Sequence, residues 1–332
     1  MKPFIVACLL VAAARADPGV VQAKWSAFKA QHDKTYEAHE EDLRLSNFLQ
    51  ATVEIEEHNA RYHAGEVSYM LGHNAYSDLS ASEFKSKMLG KKRMSMEGRN
   101  FTEVPAASMP SIPRSVDWRD KGIVTTPKNQ ESCGSCYSFG VLGVVESAIA
   151  QSTGRIVDLA EQQIVDCSYN YQGEMNSGCN GGHEVVVMDF VSQRGVVLEN
   201  SYSYRSGQSN HHYSCQKSTG TYGRNLKYRE VKPNDEQKLA EAIAQYGTLV
   251  MSISGENRDF QMYRGGIYDN PNCSKQVDHV ISVVGYGSEN GKDFWIVKNS
   301  WGTTWGENGF GRVRRGVNMC GVVSDSSWSI SV

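Results

Sequence analysis

Residues 129–139 of this 332-residue chain read Asn129-Gln130-Glu131-Ser132-Cys133-Gly134-Ser135-Cys136-Tyr137-Ser138-Phe139. Cys133 and Cys136 stand among small residues, and an apolar helical pattern begins at the second cysteine. Gln130 precedes Cys136 by six positions. Two cysteines at this spacing suit a redox pair, half of a metal site, or one structural cysteine beside one reactive cysteine. The rest of the chain must distinguish these three alternatives.

The cysteine count favours the third alternative. Residues 1–16 have the pattern of a secretory signal peptide, with Lys2, an apolar run and a small-x-small end at Ala14-Arg15-Ala16. Export predicts an oxidising compartment, where disulfides persist. The cysteines after the signal are Cys133, Cys136, Cys167, Cys179, Cys215, Cys273 and Cys320. Their odd number favours three disulfides and one free thiol, which weighs against a Cys133–Cys136 redox pair.

Composition excludes several classes of partner. The net charge of -3 gives no electrostatic reason to expect nucleic acid or an anionic membrane. The apolar run of the signal is too short to span a bilayer, and no later segment is long and apolar enough. A zinc site is disfavoured because no second close Cys or His pair lies at zinc-finger spacing, and we expect no metal and no other cofactor. The sequons Asn100-Phe101-Thr102 and Asn272-Cys273-Ser274 are typical of a secreted glycoprotein.

The chain divides into two parts of different composition. Residues 20–64 are charged and helix-like, residues 65–76 are extended, and residues 91–113 form a polar, proline-containing stretch that predicts a mobile, protease-accessible linker. After Pro113, helical patterns at 136–153, 159–167 and 185–194 precede β-rich runs at 248–254, 280–286, 294–298 and 309–313. A helical half followed by a β half predicts an α+β fold with two lobes and a cleft between them.

The residues around this predicted cleft suit nucleophilic catalysis. Cys136 heads a helix, where free amides and the helix dipole stabilise a thiolate. His279 opens a strand of the β half and could face Cys136, while Asn299 follows another strand and could orient the imidazole. A thiolate–imidazolium pair can lower a cysteine pKa to roughly 3–4. Gln130 could then donate to a developing oxyanion. Together these groups predict acyl transfer through a thioester.

These motifs resemble those of papain-like cysteine proteases of the cathepsin L type, and the resemblance covers essentially the whole chain. It rests on the segments Ile112–Trp118, Gln130–Phe139, Gly178–Gly182, Asp278-His279, Gly285–Gly287 and Asn299–Gly306. In the front part, Glu40, Arg44, Phe48, Ile55, Asn59 and Gly72–Asp78 resemble the motifs of an inhibitory propeptide. The resemblance implies a signal peptide at 1–16, a mostly helical propeptide at 17–111 and a two-lobed catalytic domain at 112–332, with a helical left lobe and a β-barrel-like right lobe.

The resemblance also implies roles for individual residues. It makes Cys136 the nucleophile, His279 the base and acid, Asn299 the orienting residue, and Gln130 an oxyanion donor. It pairs Cys133 with Cys179, Cys167 with Cys215, and Cys273 with Cys320. Substrate-binding positions implied by it are Gly181, Gly182, Glu184, Ser252, Val280, Asp325 and Trp305. The partners it implies are protein and peptide substrates, the chain's own propeptide and cystatin-like inhibitors, for a monomeric enzyme that is lysosomal or extracellular.

Three points stay open at the level of sequence. Asp325 and Glu184 either allow Lys or Arg at the P2 position of a substrate alongside hydrophobic residues, or turn to solvent at the rim of the pocket. Tyr137 stands where a tryptophan is usual, which predicts a packing variant rather than an altered catalytic helix. His211-His212 suggests a solvated surface pair, so endopeptidase activity is favoured over exopeptidase activity. An inactive homologue and a thiol–disulfide oxidoreductase are the competing functions.

Overall fold

The computed structural model describes residues 17–105, 111–174, 176–216 and 221–332, so the predicted signal peptide at 1–16 lies outside the described residues. The α-helices are α1 (Pro18–Gln31), α2 (Ala38–His63), α3 (Ala81–Met88), α4 (Cys136–Thr153), α5 (Glu161–Cys167), α6 (Glu184–Arg194), α7 (Ser206–Ser209), α8 (Glu236–Tyr246) and α9 (Arg258–Gln261). The β-strands are β1 (Tyr69–Leu71), β2 (Val116–Asp117), β3 (Lys227–Val231), β4 (Leu249–Ile253), β5 (Tyr263–Tyr268), β6 (His279–Glu289), β7 (Lys292–Lys298), β8 (Phe310–Arg314) and β9 (Ser327–Ser331).

Residues 17–105, called the N-terminal segment below, begin with two helices that share an aromatic core. Trp25 and Phe28 of α1 pack on Phe48 of α2, with ring centroids 5.4 and 4.8 Å from Phe48. The sequence predicts one helical region at 20–64, and the structure divides it into α1 and α2. The short helix α3 was not anticipated, although Ser80 and Glu83 form a capping box at its start. After α3 the chain continues as an extended strand-like segment rather than as a free linker.

The helical lobe forms around α4, which is buried along most of its length. Its unbroken apolar sequence suits a helix surrounded by protein on all sides, and Gly154 ends it in the left-handed conformation. The helices expected near 159–167 and 185–194 are α5 and α6. Disulfides Cys133–Cys179 and Cys167–Cys215 connect the loops of this lobe.

The second lobe is a mostly antiparallel sheet with the strand order β1-β5-β8-β7-β6-β4-β9-β3, and β2 pairs with β6. Over the described strands this path is open, because β1 and β3 at its two ends do not pair with each other. The α+β class is confirmed, but the barrel-like description of this lobe is wrong, because the sheet does not close. The edge strand β1 belongs to the N-terminal segment and pairs with β5, so the segment extends the sheet.

Two contacts fix α4 against the rest of the molecule. A Cβ atom on Gly140 would lie only 2.7 Å from Cγ1 of Val280, so glycine lets α4 approach β6 closely. On the other side, the ammonium of Lys128 lies 2.9 Å from a carboxylate oxygen of Glu146 on α4 and 2.8 Å from one of Glu161 on α5. The loop that carries Gln130 and the start of β6 are thereby held beside the first turn of α4.

Candidate active site

Cys136 is the first residue of α4, and its thiol is buried. Of the described cysteines it alone is outside a disulfide. The backbone amides of Val280, which follows His279 on β6, and of Gly90 of the N-terminal segment favour the charged thiol and act to lower its pKa. The close packing of α4 on β6 therefore brings the predicted nucleophile to the strand that carries the predicted base.

His279 is held by Asn299 and covered by Trp301. Its Nε2 lies 2.8 Å from Oδ1 of Asn299, and the Trp301 ring lies 4.6 Å from the imidazole between centroids. Because Oδ1 also accepts from the Ser300 amide, it acts as an acceptor and fixes the proton on Nε2. Among the described residues, no group hydrogen-bonds to Nδ1 of His279. The lone pair on Nδ1 is thus free to accept a proton.

Gln130 is oriented by a neighbour of Asn299 and donates to the N-terminal segment. Its Oε1 accepts from the Ser300 hydroxyl at 2.6 Å. Its Nε2 donates to the carbonyl oxygens of Met88 and Cys133, both at 2.8 Å. Met88 is the last residue of α3, so a carbonyl of the N-terminal segment occupies the position where the amide of Gln130 can stabilise an oxygen.

Residues 90–92 cross the cleft as an extended strand. The Gly182 amide donates to the Gly90 carbonyl at 2.8 Å, and the Lys92 amide donates to the Gly182 carbonyl at 2.9 Å. This pairing of Lys91 with Gly182 is parallel. A Cβ on Gly90 would lie 1.8 Å from the Gly134 carbonyl oxygen, so only glycine allows the approach. Backbone pairing of this kind is a common way to bind an extended peptide.

The side chain of Lys91 fills an acidic pocket at the base of α6. Its ammonium lies 2.7 and 2.9 Å from the two carboxylate oxygens of Glu184 and 3.0 Å from Oδ2 of Asp325. The side chains of Lys91 and Glu184 are 0% and 1% exposed, whereas Asp325 is 33% exposed. Of the two alternatives that the sequence leaves open, the position at a solvent rim therefore does not hold for Glu184, which is buried beside the Lys91 cation.

Comparisons with known proteins identify the fold that holds this site. Residues 112–330 match the papain family of cysteine proteases, and residues 25–84 match the cathepsin propeptide inhibitor domain (I29). The chain belongs to the papain family of cysteine proteases. It is 38% identical to cathepsin L1 of Drosophila melanogaster over 98% of this chain and 90% of that protein. It is 36% identical to pro-cathepsin H of Mus musculus over 90% of this chain and 88% of that protein.

Solved zymogens of the family have the same fold as this protease. Digestive procathepsin L 3 of Tenebrio molitor larval midgut superposes with a TM-score of 0.84 at 34% identity, over 94% of this chain and 99% of that one. A recombinant stem bromelain precursor gives a TM-score of 0.82 at 29% identity, over 95% and 99%. The protein is accordingly a cathepsin L-like zymogen, a cysteine protease that carries a propeptide inhibitor domain.

In this closed form of the zymogen, burial keeps both members of the Cys136–His279 pair neutral. Burial raises the pKa of the Cys136 thiol to about 11, against the opposing backbone hydrogen bonds from Val280 and Gly90. Burial also lowers the pKa of His279 to about 4, although the bond to Asn299 favours the protonated ring. The depressed thiol pKa expected from the sequence is therefore absent here, because the N-terminal segment excludes water from both groups.

The acidic pocket has the opposite electrostatics, because a counter-charge compensates its burial. Burial alone would raise the pKa of Glu184 and of Asp325, but the Lys91 ammonium holds both below their usual range. Burial would likewise lower the pKa of Lys91, yet the two carboxylates raise it. All three side chains are thus charged in the closed zymogen, and each depends on the others for stabilisation.

The other predicted substrate-binding residues lie around the same cleft or beneath it. Ser252 and Val280 are buried and face each other across strands β4 and β6. Gly181 approaches the segment so closely that a Cβ would lie 2.3 Å from the Gly90 carbonyl oxygen. Trp305 is fully buried, and its indole donates to the Phe260 carbonyl at 2.9 Å. Its predicted contact with the leaving-group side of a substrate stays a prediction.

The structure gives the contacts of Tyr137 and His212 and the pairing of the disulfides. The Tyr137 hydroxyl donates to the Gly178 carbonyl at 3.0 Å, so the residue that replaces tryptophan ties α4 to the loop before Gly182. His212 stacks on the ring of Tyr169, with centroids 4.1 Å apart. The third disulfide, Cys273–Cys320, lies in the β lobe, and the three bonds join the pairs that the resemblance implied. Because Cys133 is bonded to Cys179, it does not form a redox pair with Cys136.

Sequence analysis missed Lys91, Met88 and Ser300 as members of the site. Lys91 was assigned to a mobile linker because residues 91–113 are polar and contain prolines. The available signal was the Gly90-Lys91 dipeptide together with the two acids assigned to the pocket, since a buried acid pair requires a cation.

Among the described residues, no helix combines the length and apolar character needed to cross a membrane.

Proposed function

We propose that the chain is an endopeptidase whose residues 112–332 hydrolyse peptide bonds with a preference for Lys or Arg at P2, and whose residues 17–111 are its inhibitory propeptide. The observation that carries this specificity is the buried Lys91 ammonium between Glu184 and Asp325. Gly90, Lys91 and Lys92 pair with Gly182 as a substrate backbone would, but in the parallel direction. Lys91 thus presents a basic side chain where P2 of a substrate would lie.

In the proposed mechanism, departure of the propeptide returns water to the Cys136–His279 pair. The imidazole of His279 then takes the thiol proton on Nδ1, while its Nε2–H continues to donate to Oδ1 of Asn299. The thiolate attacks the scissile carbonyl and forms a tetrahedral oxyanion, which receives a hydrogen bond from Gln130 in place of the Met88 carbonyl. His279 protonates the leaving amine, and a water molecule activated by His279 hydrolyses the thioester.

Electrostatics favours a basic P2 residue over an aliphatic one. With Lys91 gone, Glu184 and Asp325 would share a pocket with water as their only compensation, and an aliphatic side chain would displace that water without replacing its hydrogen bonds. A Lys or Arg side chain would instead restore the ion pairs that Lys91 makes. Arg can bind the two oxygens of Glu184 in a bidentate manner, which adds to its selection.

The specificity is tested by profiling peptides that vary only at P2. Asp325→Ala and Glu184→Gln should each lower kcat/KM for Arg and Lys by about 10- to 100-fold, the range expected for loss of a charge-assisted bond. Asp293→Ala, at a half-exposed carboxylate on β7, is the matched control. An unchanged ratio of basic to aliphatic cleavage in both pocket variants would refute the role of the two acids.

The nucleophile is tested separately by acid activation followed by labelling with an epoxide inhibitor of thiol proteases. Label on Cys136 and one titratable thiol in the processed enzyme are the expected results. Absence of label would favour an inactive homologue, and a reducible Cys133–Cys136 bond would favour an oxidoreductase.

For the remaining partners and the location, we propose that the protein is a monomer of the secretory pathway, either lysosomal or extracellular, and that cystatin-like proteins inhibit it.

A further inference from the structure

Residues 94–105 leave the cleft and bind along the outer face of the two lobes. This face, called the β3 face below, consists of Glu174, Asp189, Tyr228, Trp328 and the edge of β3 at Glu230 that is opposite to β9. The backbone contacts are those of a sheet: the Val104 amide donates to the Glu230 carbonyl at 2.8 Å, and the Glu230 amide donates to the Thr102 carbonyl at 2.9 Å. Residues 102–104 therefore act as an additional parallel strand beside β3.

Two side chains of the segment fill specific places on the β3 face. The Arg99 guanidinium binds Asp189, with Nη1 to Oδ2 at 3.2 Å, and also binds Glu174. The Phe101 ring packs edge-on against Trp328 with centroids 4.7 Å apart, and more distantly against Tyr228 at 6.2 Å. Asp189 is itself held by the Tyr228 hydroxyl. An acidic site and an aromatic site thus lie two residues apart along the bound chain.

Release of residues 94–105 exposes the β3 face to solvent. The edge of β3 loses its strand partner, the Trp328 ring loses the aromatic cover of Phe101, and Asp189 and Glu174 lose their cation. An unpaired strand edge beside an exposed aromatic patch is a ready template for another polypeptide. The segment that fills the face in the zymogen defines the chemistry of what can replace it.

We propose that the β3 face of the processed enzyme is a docking site for an extended segment of a protein substrate that carries an arginine and, two residues later, an aromatic residue. A substrate is the favoured occupant because the face lies within reach of the cleft, since residues 92–98 span the distance from Lys91 to Arg99, and because Asp189 and Glu174 complement an arginine. A substrate crosses the cleft in the direction opposite to residues 90–92, so its docking segment lies N-terminal to the scissile bond and joins the cleft by a longer connection that turns back. Protein substrates with such a segment would bind through two sites at once, which lowers their KM. The inference rests on release of the propeptide.

The test uses a fluorescein-labelled peptide of residues 94–105, which lacks the basic residues that enter the cleft. Its fluorescence anisotropy is measured against acid-activated enzyme before and after Cys136 is alkylated with the epoxide inhibitor. Saturable binding is expected with and without alkylation. Arg99→Ala or Phe101→Ala in the peptide should each weaken it about tenfold, as expected for loss of a charge-assisted bond or an aromatic anchor. The intact zymogen should not bind the peptide, because its own segment occupies the face.

Enzyme variants locate the binding surface. Asp189→Asn should weaken binding of the parent peptide about tenfold but leave binding of the Arg99→Ala peptide unchanged. Glu289→Gln, at an exposed position at the end of β6, is the control and should have no effect. Should Asp189→Asn fail to fold, the two peptide variants still decide the question. The proposal is overturned if the peptide does not saturate, if both peptide variants bind like the parent, or if alkylation of Cys136 abolishes binding.

Failure of processing is distinguished from failure of docking. If acid treatment yields no label on Cys136, the proposed activity is at fault. The face is then tested on the full chain with both Arg99→Ala and Phe101→Ala, whose own segment is held more weakly. This variant should bind the peptide where the unmodified zymogen does not. Absence of binding by this variant would overturn the docking site independently of catalysis.

Discussion

The Lys91 ammonium lies 2.7 Å from the Glu184 carboxylate, although the two residues are 93 positions apart in sequence. Asp325 completes the group on the solvent side at 3.0 Å. The same pocket that we assign to substrate recognition is therefore occupied by a side chain of the N-terminal segment. In our proposal, specificity and autoinhibition therefore depend on one set of charges.

Lys91→Met should weaken autoinhibition, because it leaves Glu184 buried without a counter-charge. Removing one partner of a buried ion pair costs about 3–5 kcal/mol, part of which is recovered if water enters the pocket. We expect the variant to acquire activity faster than the parent at a given mildly acidic pH, measured with a fluorogenic peptide. Lys91→Arg keeps the charge and should remain inhibited.

Lys24→Met, at an exposed lysine on α1, is the control for a loss of charge in the N-terminal segment. Activation of Lys91→Met at the parental rate would contradict an electrostatic role for Lys91. Adding Glu184→Gln and Asp325→Asn to Lys91→Met should restore inhibition in part, since no charge is then left uncompensated in the pocket.

Gly90→Ala tests the steric fit of the segment in the cleft. The added Cβ would lie 1.8 Å from the Gly134 carbonyl oxygen, so the strand must move away from Gly182 and from Cys136. We expect leakage of activity from the unprocessed chain and labelling of Cys136 by the epoxide at neutral pH. Ser95→Ala, at an exposed position five residues later, should leave the zymogen unreactive. If Gly90→Ala is equally unreactive, the crossing strand is not what closes the cleft.

The pH dependence of opening should come from the acidic pocket rather than from the catalytic pair. Opening moves a proton from Cys136 to His279 without net uptake, so it contributes little slope. Lys91 holds the pKa of Glu184 below 4.5 and that of Asp325 below 3.8 in the closed form. Their stabilisation is fully present above these ordinary values and is lost as pH falls through the depressed ones, because the open form then binds more protons.

We therefore expect the closed form to weaken below about pH 4.5, by about 1.4 kcal/mol per pH unit for each proton taken up. The measurement is the cleavage rate of the N-terminal segment by an added acid-stable protease in a full-length Cys136→Ala chain, followed from pH 6 to pH 3. Glu184→Gln with Asp325→Asn should flatten the profile. A profile that is equally steep in this variant would assign the acid response to other groups.

The sequence predicted those parts of the site that depend on local patterns. The apolar run after Cys136 and its end at Gly154 are sufficient to predict α4, because a helix enclosed by protein needs no polar face. The prediction of strand β6 likewise rests on a local pattern, and the prediction of one free thiol needs only the number of cysteines. Whether the sheet closes into a barrel was not predictable, because closure depends on whether the two edge strands meet in space. Lys91 was missed because its partners are distant in sequence, and a buried lysine has no signature in composition.

Tyr137→Phe tests whether the residue after the nucleophile does more than fill space. Its hydroxyl donates to the buried Gly178 carbonyl, and a Cβ on Gly182 would lie 2.9 Å from its ring, so Tyr137 supports the loop whose Gly182 pairs with residues 90–92. Removing the hydroxyl leaves that carbonyl with the longer bond from the Gly181 amide at 3.3 Å, so the free energy of unfolding in urea should fall by about 1 kcal/mol. KM should rise while kcat changes little. Tyr169→Phe, at an exposed tyrosine, is the control, and an unaltered urea midpoint in Tyr137→Phe would leave Tyr137 a packing residue only.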